Sequence, residues 1–175
     1  HPWTAGGTWL IRNELPNHVL NRAFGGSGFA IHDELYQFKE PWSRDIVKVL
    51  LSIDMRFESN RSGPSFNPDM VRRMDEDFAV SWLRSYGKGR TFYCGIGHNA
   101  EHAWNKAVQQ HYLDGIQYAL GDLSADATPI PRPKRDTADE YTNLEKMTED
   151  ALLARLGSAK DFDVKGDICR VLKAK

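Results

Sequence analysis

The sequence predicts an α/β domain, and three stretches of the chain lead to that prediction. Ile46 to Ile53 is an apolar run of the kind that forms a strand covered on both faces of a sheet. Phe78 to His98 contains two runs rich in aromatic and β-branched residues around a Gly-Lys-Gly sequence, which predicts a β-hairpin. Ala103 to Leu120 has apolar residues at helical spacing, and Gly121 supplies the expected C-cap. We therefore expect the helix to pack against a sheet that contains both strand segments.

The second strand of the hairpin ends in Gly-Ile-Gly-His, and this ending indicates a functional residue. Gly87 and Gly89 can adopt the positive φ that a tight turn needs. Gly95 and Gly97 remove side chains from the end of the strand, so that a ligand or another backbone segment can approach closely. His98 follows, and an imidazole both carries protons near neutral pH and binds metals. We therefore expect His98 at the rim of the sheet.

Shorter segments complete the predicted domain. Thr8 to Asn13 and Phe29 to Phe38 have the composition and alternation of strands, with a glycine-rich connector before the second. Glu58 to Asp77 is polar and contains two prolines, which predicts a surface loop with a short helical piece near Met70 to Met74.

The composition changes after residue 121. Residues 1–121 form the predicted domain, and residues 122–140 are rich in Pro, Asp, Ala, Thr and basic residues, as in a linker or a surface strap. Residues 141–175 contain two apolar patterns at helical spacing, which predict a C-terminal helical tail. Two interpretations of the tail stay open: the start of a helical repeat, as in larger bacterial proteins, or helices that pack back on the domain.

The overall composition limits the classes of partner. A chain of 175 residues can bury one good core. Its net charge of -1 argues against general binding to nucleic acids or to membrane surfaces, and no apolar run approaches a membrane-spanning length. The two cysteines, Cys94 and Cys169, form no close-spaced motif, so neither a redox site nor a thiolate metal site is indicated.

Asp33 and Glu34 are the best carboxylate candidates. Because neighbouring residues in a strand point to opposite faces, only one of the two carboxylates can lie on the same face as His32 and Tyr36. We expect one face to contain Ile31, Asp33 and Leu35, and the other His32, Glu34 and Tyr36. A core-facing carboxylate must be paired or functional, because burial without a partner is costly. Glu34 therefore has two interpretations: acid–base catalysis, or an ion pair with Arg44 or Arg90.

His98 and His102 are four residues apart, at the transition from strand to helix. This spacing can place two imidazoles on one side of a first helical turn, where a carboxylate such as Glu34 would complete a site for zinc or another divalent ion. In the alternative interpretation, His102 is a surface residue at the start of a helix and only His98 faces a pocket. His111, on the long helix, is expected to be structural.

Tryptophans supply the candidate sugar-binding surface, since aromatic rings complement the apolar faces of sugars. Most tryptophans belong to cores, which is the alternative for Trp9, Trp42 and Trp82. Trp104, close in sequence to His98 and His102, is the preferred candidate.

Several motifs resemble those of one known family. They are Tyr86 to Arg90 (YGKGR), Gly97-His98, Gly115 to Gly121, and Asp33 to Phe38 (DELYQF) followed by Val49 to Asp54. In this order they resemble the ThuA-like (trehalose-utilisation) family, and the resemblance spans roughly residues 1–121. It implies a flavodoxin-like fold of the class I glutamine amidotransferase type, with a mostly parallel sheet.

The resemblance also bears on the start of the chain. Family members have further strands and helices before the position of His1, so we expect a truncated start, with His1-Pro2 as a segment near the substrate pocket. In the alternative, His1 is a mature N-terminus, where its amino group and imidazole would hold copper. Cys94 lacks the strand–helix elbow of an amidotransferase nucleophile, so that activity is not expected.

The resemblance implies a sugar-acting domain for trehalose-like disaccharides or their keto derivatives. Glu34 and His98 are the expected acid–base residues, helped by zinc or another divalent metal if His98 and His102 bind one. The expected substrate-binding residues are His1, His32, Tyr36 and Trp104. The alternative function is a non-catalytic carbohydrate-binding or scaffold module of a larger protein, with other domains of that chain as partners. A periplasmic or secreted location is favoured over a cytoplasmic one.

Overall fold

The computed structural model describes residues 1–73, 75–131, 146–158 and Leu172. The chain divides into two compact units, His1–Arg132 and Pro133–Lys175. The strands of the first unit are β1 (Thr8–Asn13), β2 (Phe29–His32), β3 (Lys48–Ile53), β4 (Ala79–Tyr86) and β5 (Gly89–Cys94). Its helices are α1 (Ser59–Ser62) and α2 (Lys106–Leu120), with short 3₁₀ helices at Val19–Phe24, Pro68–Met70 and Ala100–Trp104.

The described strands form one five-stranded sheet in the order β2-β1-β3-β4-β5. Every neighbouring pair is antiparallel, so the prediction of a mostly parallel, flavodoxin-like sheet is wrong. The first unit is an α+β domain rather than an α/β domain. Following the pairings along the sheet, β2, β3 and β5 run in one direction and β1 and β4 in the other. The two edge strands, β2 and β5, therefore end at the same end of the sheet.

The apolar run in β3 forms the expected buried strand, but in an antiparallel sheet. All six residues of β3 are buried, as expected for a strand covered on both faces. The main core covers one face and has Leu50, Ile53 and Val80 among its members. A second, aromatic cluster with Trp42 and Phe38 covers Val49. The second face of β3 is thus covered by a loop, not by the crossover helix that a parallel sheet would need.

The predicted hairpin is confirmed. β4 and β5 pair in continuous register from Ser81 opposite Cys94 to Tyr86 opposite Gly89. Gly87 has a φ of +56° in the turn, a conformation that side-chain-bearing residues rarely adopt. The strand before the site is shorter than predicted: β2 ends at His32, and Leu35 then forms an isolated bridge with Trp3.

Helix α2 begins at Lys106, three residues later than predicted, because the Asn105 side chain caps it by accepting hydrogen bonds from the N–H groups of Ala107 and Val108. It ends at Gly121, which has a φ of +97°, and this C-cap is confirmed. The helix contacts β5 and buries Val108, His111, Asp114, Gly115 and Tyr118. It thus covers the edge of the sheet that leads to His98.

The polar stretch from 58 to 77 contains α1 and the Pro68–Met70 3₁₀ helix, while Met74 lies outside the described residues. In the second unit the structure describes helix α3 (Glu149–Ser158). Most of the second tail helix and Cys169 lie outside the described residues, as does most of the linker beyond residue 131. Among the helices that the structure describes, none is long and apolar enough to cross a membrane.

Candidate functional site

Glu34 and His98 meet where the chain leaves the two edge strands. Glu34 follows β2, and His98 follows β5 after the segment Gly95–Gly97. His98 Nδ1 lies 3.0 Å from Glu34 Oε2. The side chain of His98 is 47% exposed and that of Glu34 is 22% exposed. A molecule from solvent can therefore reach the imidazole, while the carboxylate is partly shielded behind it.

The 3.0 Å approach of Glu34 Oε2 to His98 Nδ1 favours a proton on Nδ1 in the neutral ring. A carboxylate has no proton to donate, so the tautomer with its proton on Nδ1 suits this contact, and in that tautomer Nε2 keeps a free lone pair. Among the described residues, neither His98 Nε2 nor Glu34 Oε1 has a hydrogen-bond partner, whereas Glu34 Oε2 accepts a hydrogen bond from the Tyr36 hydroxyl and lies 3.0 Å from His98 Nδ1. The pair thus presents a proton acceptor to the outside and keeps its orienting contact inside.

Tyr36 holds the carboxylate from the other side. Its hydroxyl donates to Glu34 Oε2 over 3.1 Å. Burial and this hydrogen bond raise the pKa of Tyr36 above its ordinary value, so the hydroxyl stays a donor at neutral pH. The ring of His1 packs edge-on against the Tyr36 ring, with 4.3 Å between centroids. The structure therefore brings His1, Glu34, Tyr36 and His98 together.

The alternative ion pairs proposed for Glu34 are not formed. Arg44 bonds to Asp77 and to Glu14. Arg90 approaches the carbonyl of Tyr118. Glu34 is left with the imidazole of His98 and the hydroxyl of Tyr36 as its partners.

Asp33 occupies the opposite, buried side, and the sequence pattern did not predict a role for it. The predicted alternation holds, since Ile31, Asp33 and Leu35 are buried. Asp33 Oδ2 accepts a hydrogen bond from the N–H of Gly97, and Oδ1 accepts one from the N–H of Asn99. A charged residue placed among apolar ones was the available signal, but its partners lie 64 positions or more away in sequence.

His102 does not join His98. It is buried, and its Nε2 lies 2.9 Å from the carbonyl oxygen of His32 and 3.7 Å from Asp33 Oδ2. Because a carbonyl only accepts, His102 Nε2 is protonated and donates, so that nitrogen has no lone pair for a metal. In the described part of the chain, no group of three or more His, Cys, Asp or Glu side chains is arranged to hold a metal ion. These residues do not fit the predicted zinc site.

Two other predicted residues lie at the surface. His32 Nδ1 is 3.5 Å from Glu101 Oε1, and both side chains are well exposed. Trp104 is 81% exposed, so its ring is open to a ligand. Trp9 and Trp42 are buried and belong to the two hydrophobic clusters, as the alternative interpretation expected.

Cys94, at the end of β5, is a free thiol. Burial raises its pKa to about 11, so the reactive thiolate is scarcely populated at neutral pH. The Cys94 thiol is therefore a packing group.

The fold and the site together define a class: an α+β domain with a solvent-accessible carboxylate–imidazole pair at one end of its sheet. Residues 1–119 match the model of the ThuA family, described as trehalose utilisation, and the chain belongs to that family. It thus contains a domain related to trehalose utilisation, and the residues gathered around Glu34 and His98 all lie within the matched range. No curated protein and no solved structure matches the chain.

Proposed function

We propose that this domain acts on trehalose-like disaccharides or their keto derivatives by acid–base chemistry at His98 and Glu34. The observation that supports it is the 3.0 Å contact between His98 Nδ1 and Glu34 Oε2, with the imidazole open to solvent. The family description, trehalose utilisation, supports the substrate class.

In this proposal, His98 contacts the substrate, and Glu34 orients the imidazole ring of His98. The lone pair on Nε2 takes a proton from the sugar, and the imidazolium that forms is stabilised by the Glu34 carboxylate, as in other carboxylate–histidine pairs. Tyr36 keeps the carboxylate in place by its hydrogen bond to Oε2. This division of labour differs from two independent acid and base groups, because Glu34 and His98 contact each other.

A keto derivative offers the more acidic proton. A carbonyl acidifies the hydrogen on the carbon between it and the glycosidic carbon, and Nε2 removes that hydrogen to leave an enolate. The electron pair of the enolate then expels the glycosidic oxygen, and the imidazolium returns the proton to this leaving group. The bond that breaks is the glycosidic C–O bond, and the products are an unsaturated keto sugar and a free sugar.

The test is to follow release of the free sugar by NMR, from trehalose and from a trehalose that has one ring hydroxyl oxidised to a ketone. His98→Gln should lower the rate at least about 100-fold, the smaller end of the usual acid–base contribution. Glu34→Gln should lower it about 10- to 100-fold, because it removes the negative charge that stabilises the imidazolium.

Glu58→Gln is the matched control, since Glu58 is an exposed glutamate next to α1 and its substitution should leave the rate unchanged. The thermal midpoint of His98→Gln should stay close to that of the wild type. Equal rates for wild type and His98→Gln would refute the proposed role, and no sugar release from either substrate would refute the enzymatic function.

A carbohydrate-binding module is the second candidate, and the exposed ring of Trp104 favours it. In that case trehalose should bind without being split, and Trp104→Ala should weaken binding while His98→Gln leaves it unchanged. Titration calorimetry with the two variants separates this function from the first.

A further inference from the structure

A fully buried carboxylate lies directly behind the Glu34–His98 pair. Asp33 is 0% exposed. Its Oδ2 accepts the N–H of Gly97 over 2.6 Å, and its Oδ1 accepts the N–H of Asn99 over 2.8 Å. These two donors are the backbone groups immediately before and after His98. One carboxylate thus bonds to the chain on both sides of the candidate base.

The segment from 97 to 99 needs this restraint. Gly97 has a φ of +138°, which lies outside the range that residues with side chains readily adopt. The Asn99 side chain adds hydrogen bonds from its Nδ2 to the carbonyls of Ala5 and His32. Bonds from N–H groups to an ionised carboxylate are about twice as strong as neutral ones, so the two bonds to Asp33 are the strongest restraints on this segment.

We propose that Asp33 is the positioning residue of His98, holding the backbone so that the imidazole stays within hydrogen-bond distance of Glu34. Asp33 and Glu34 are neighbours that point to opposite sides of the chain. The first restrains the backbone of His98 and the second restrains its ring. This inference rests on the proposed function for the use made of His98, but the positioning itself is measured without any substrate.

Asp33→Asn tests the inference in the full chain by NMR. The amide keeps the size of the side chain, but its NH₂ group faces a backbone N–H, so one bond is lost and the other loses its charge. We expect hydrogen exchange at Gly97 and Asn99 to accelerate about 10- to 100-fold. We also expect the ring nitrogens of His98 to change from a single tautomer protonated at Nδ1 to a mixture of tautomers.

Asp114→Asn is the matched control. Asp114 is equally buried, and its carboxylate is bonded to Arg22 and Gln110. Its substitution should lower stability without changing the His98 tautomer. A general loss of stability is thereby separated from a loss of positioning.

If Asp33→Asn does not fold, Asn99→Pro and Asn99→Ala give the same test. Asn99 has a φ of -80°, which proline can adopt. Both variants lose the side-chain bonds, but only the proline variant loses the N–H that Asp33 accepts. We expect only Asn99→Pro to change the His98 tautomer and to accelerate exchange at Gly97.

An unchanged His98 tautomer and unchanged amide exchange in Asp33→Asn, or equal behaviour of the two Asn99 variants, would overturn the inference. The proposed function fails separately, if neither sugar is split by the wild type. The NMR readouts are decisive for Asp33 in either case.

Discussion

Gly115 lies on the face of α2 that packs against β5. Its replacement by alanine has two opposing effects on stability: a steric clash with Phe92 and a gain in helix propensity. A Cβ at this position would lie 2.5 Å from Cγ of Phe92 and closer still to Cδ1 and Cε1, separations that real Cβ atoms do not show. The Phe92 ring cannot easily move, because it packs edge-on against His111 and Tyr112. In an exposed helix, by contrast, Gly→Ala would be stabilising by about 1 kcal/mol.

The sizes of these two effects decide whether Gly115→Ala stabilises or destabilises the protein. Overpacking a well-filled core costs about 1–3 kcal/mol, and contact with three ring atoms at such short range places Gly115→Ala at the upper end. After the gain in helix propensity, the net loss is about 2 kcal/mol. For a unit of this size, that corresponds to a fall in Tm of about 6–12 °C.

Thermal unfolding followed by circular dichroism measures the effect. Ala119→Gly, at an exposed position of the same helix, calibrates the propensity term and should cost about 1 kcal/mol. The double variant Gly115→Ala/Phe92→Leu should lose less than the sum of its single changes, because the smaller side chain relieves the contact. An unchanged or raised Tm for Gly115→Ala would show that the packing argument is wrong.

His111 and Cys94 give two further predictions. Burial lowers the pKa of His111, so the folded protein favours the neutral ring, and the free energy of unfolding should fall as the pH drops below about 6.5, where the unfolded chain takes up the proton. Denaturant titrations between about pH 7 and 5 should show a smaller fall in the free energy of unfolding for His111→Gln than for the wild type. Because burial also lowers the pKa of His18, the test is the difference between the two proteins and not the fall in either one. An equal dependence of the free energy of unfolding on pH in both proteins would contradict the reasoning. Because burial raises the pKa of Cys94 to about 11, a thiol reagent at about pH 8 should modify Cys94 slowly in the native protein and quickly after unfolding, as mass spectrometry of its peptide can show; rapid native labelling would refute this.

Local patterns in the sequence predicted local structure well. The hairpin and the cap at Gly121 are found where the turn residues and the helical spacing placed them. The alternation around Glu34 placed Tyr36 and Glu34 on one side, and the structure joins them by a hydrogen bond. In each case the determining interactions are made between residues near each other in sequence.

Strand direction could not be obtained in this way. An apolar run such as that in β3 reports burial on two faces, but it does not report which element provides the cover or which way the neighbouring strands run. The same limit hid the role of Asp33, whose partners belong to a distant segment. The four-residue spacing of His98 and His102 likewise could not predict that His102 faces the carbonyl of His32.

The direction of the edge strands has a consequence for how the site arises during folding. Glu34 and His98 come from segments that follow β2 and β5, the first and last strands in the sheet order. No hairpin or other local unit contains both residues. The Glu34–His98 pair is therefore assembled only after every strand between them in the sheet has paired. Contacts of such long sequence separation form late and are lost early when an edge frays. Activity at this site would therefore require the whole sheet to be formed. Substitutions far from the site that loosen either edge strand would abolish activity before the domain unfolds.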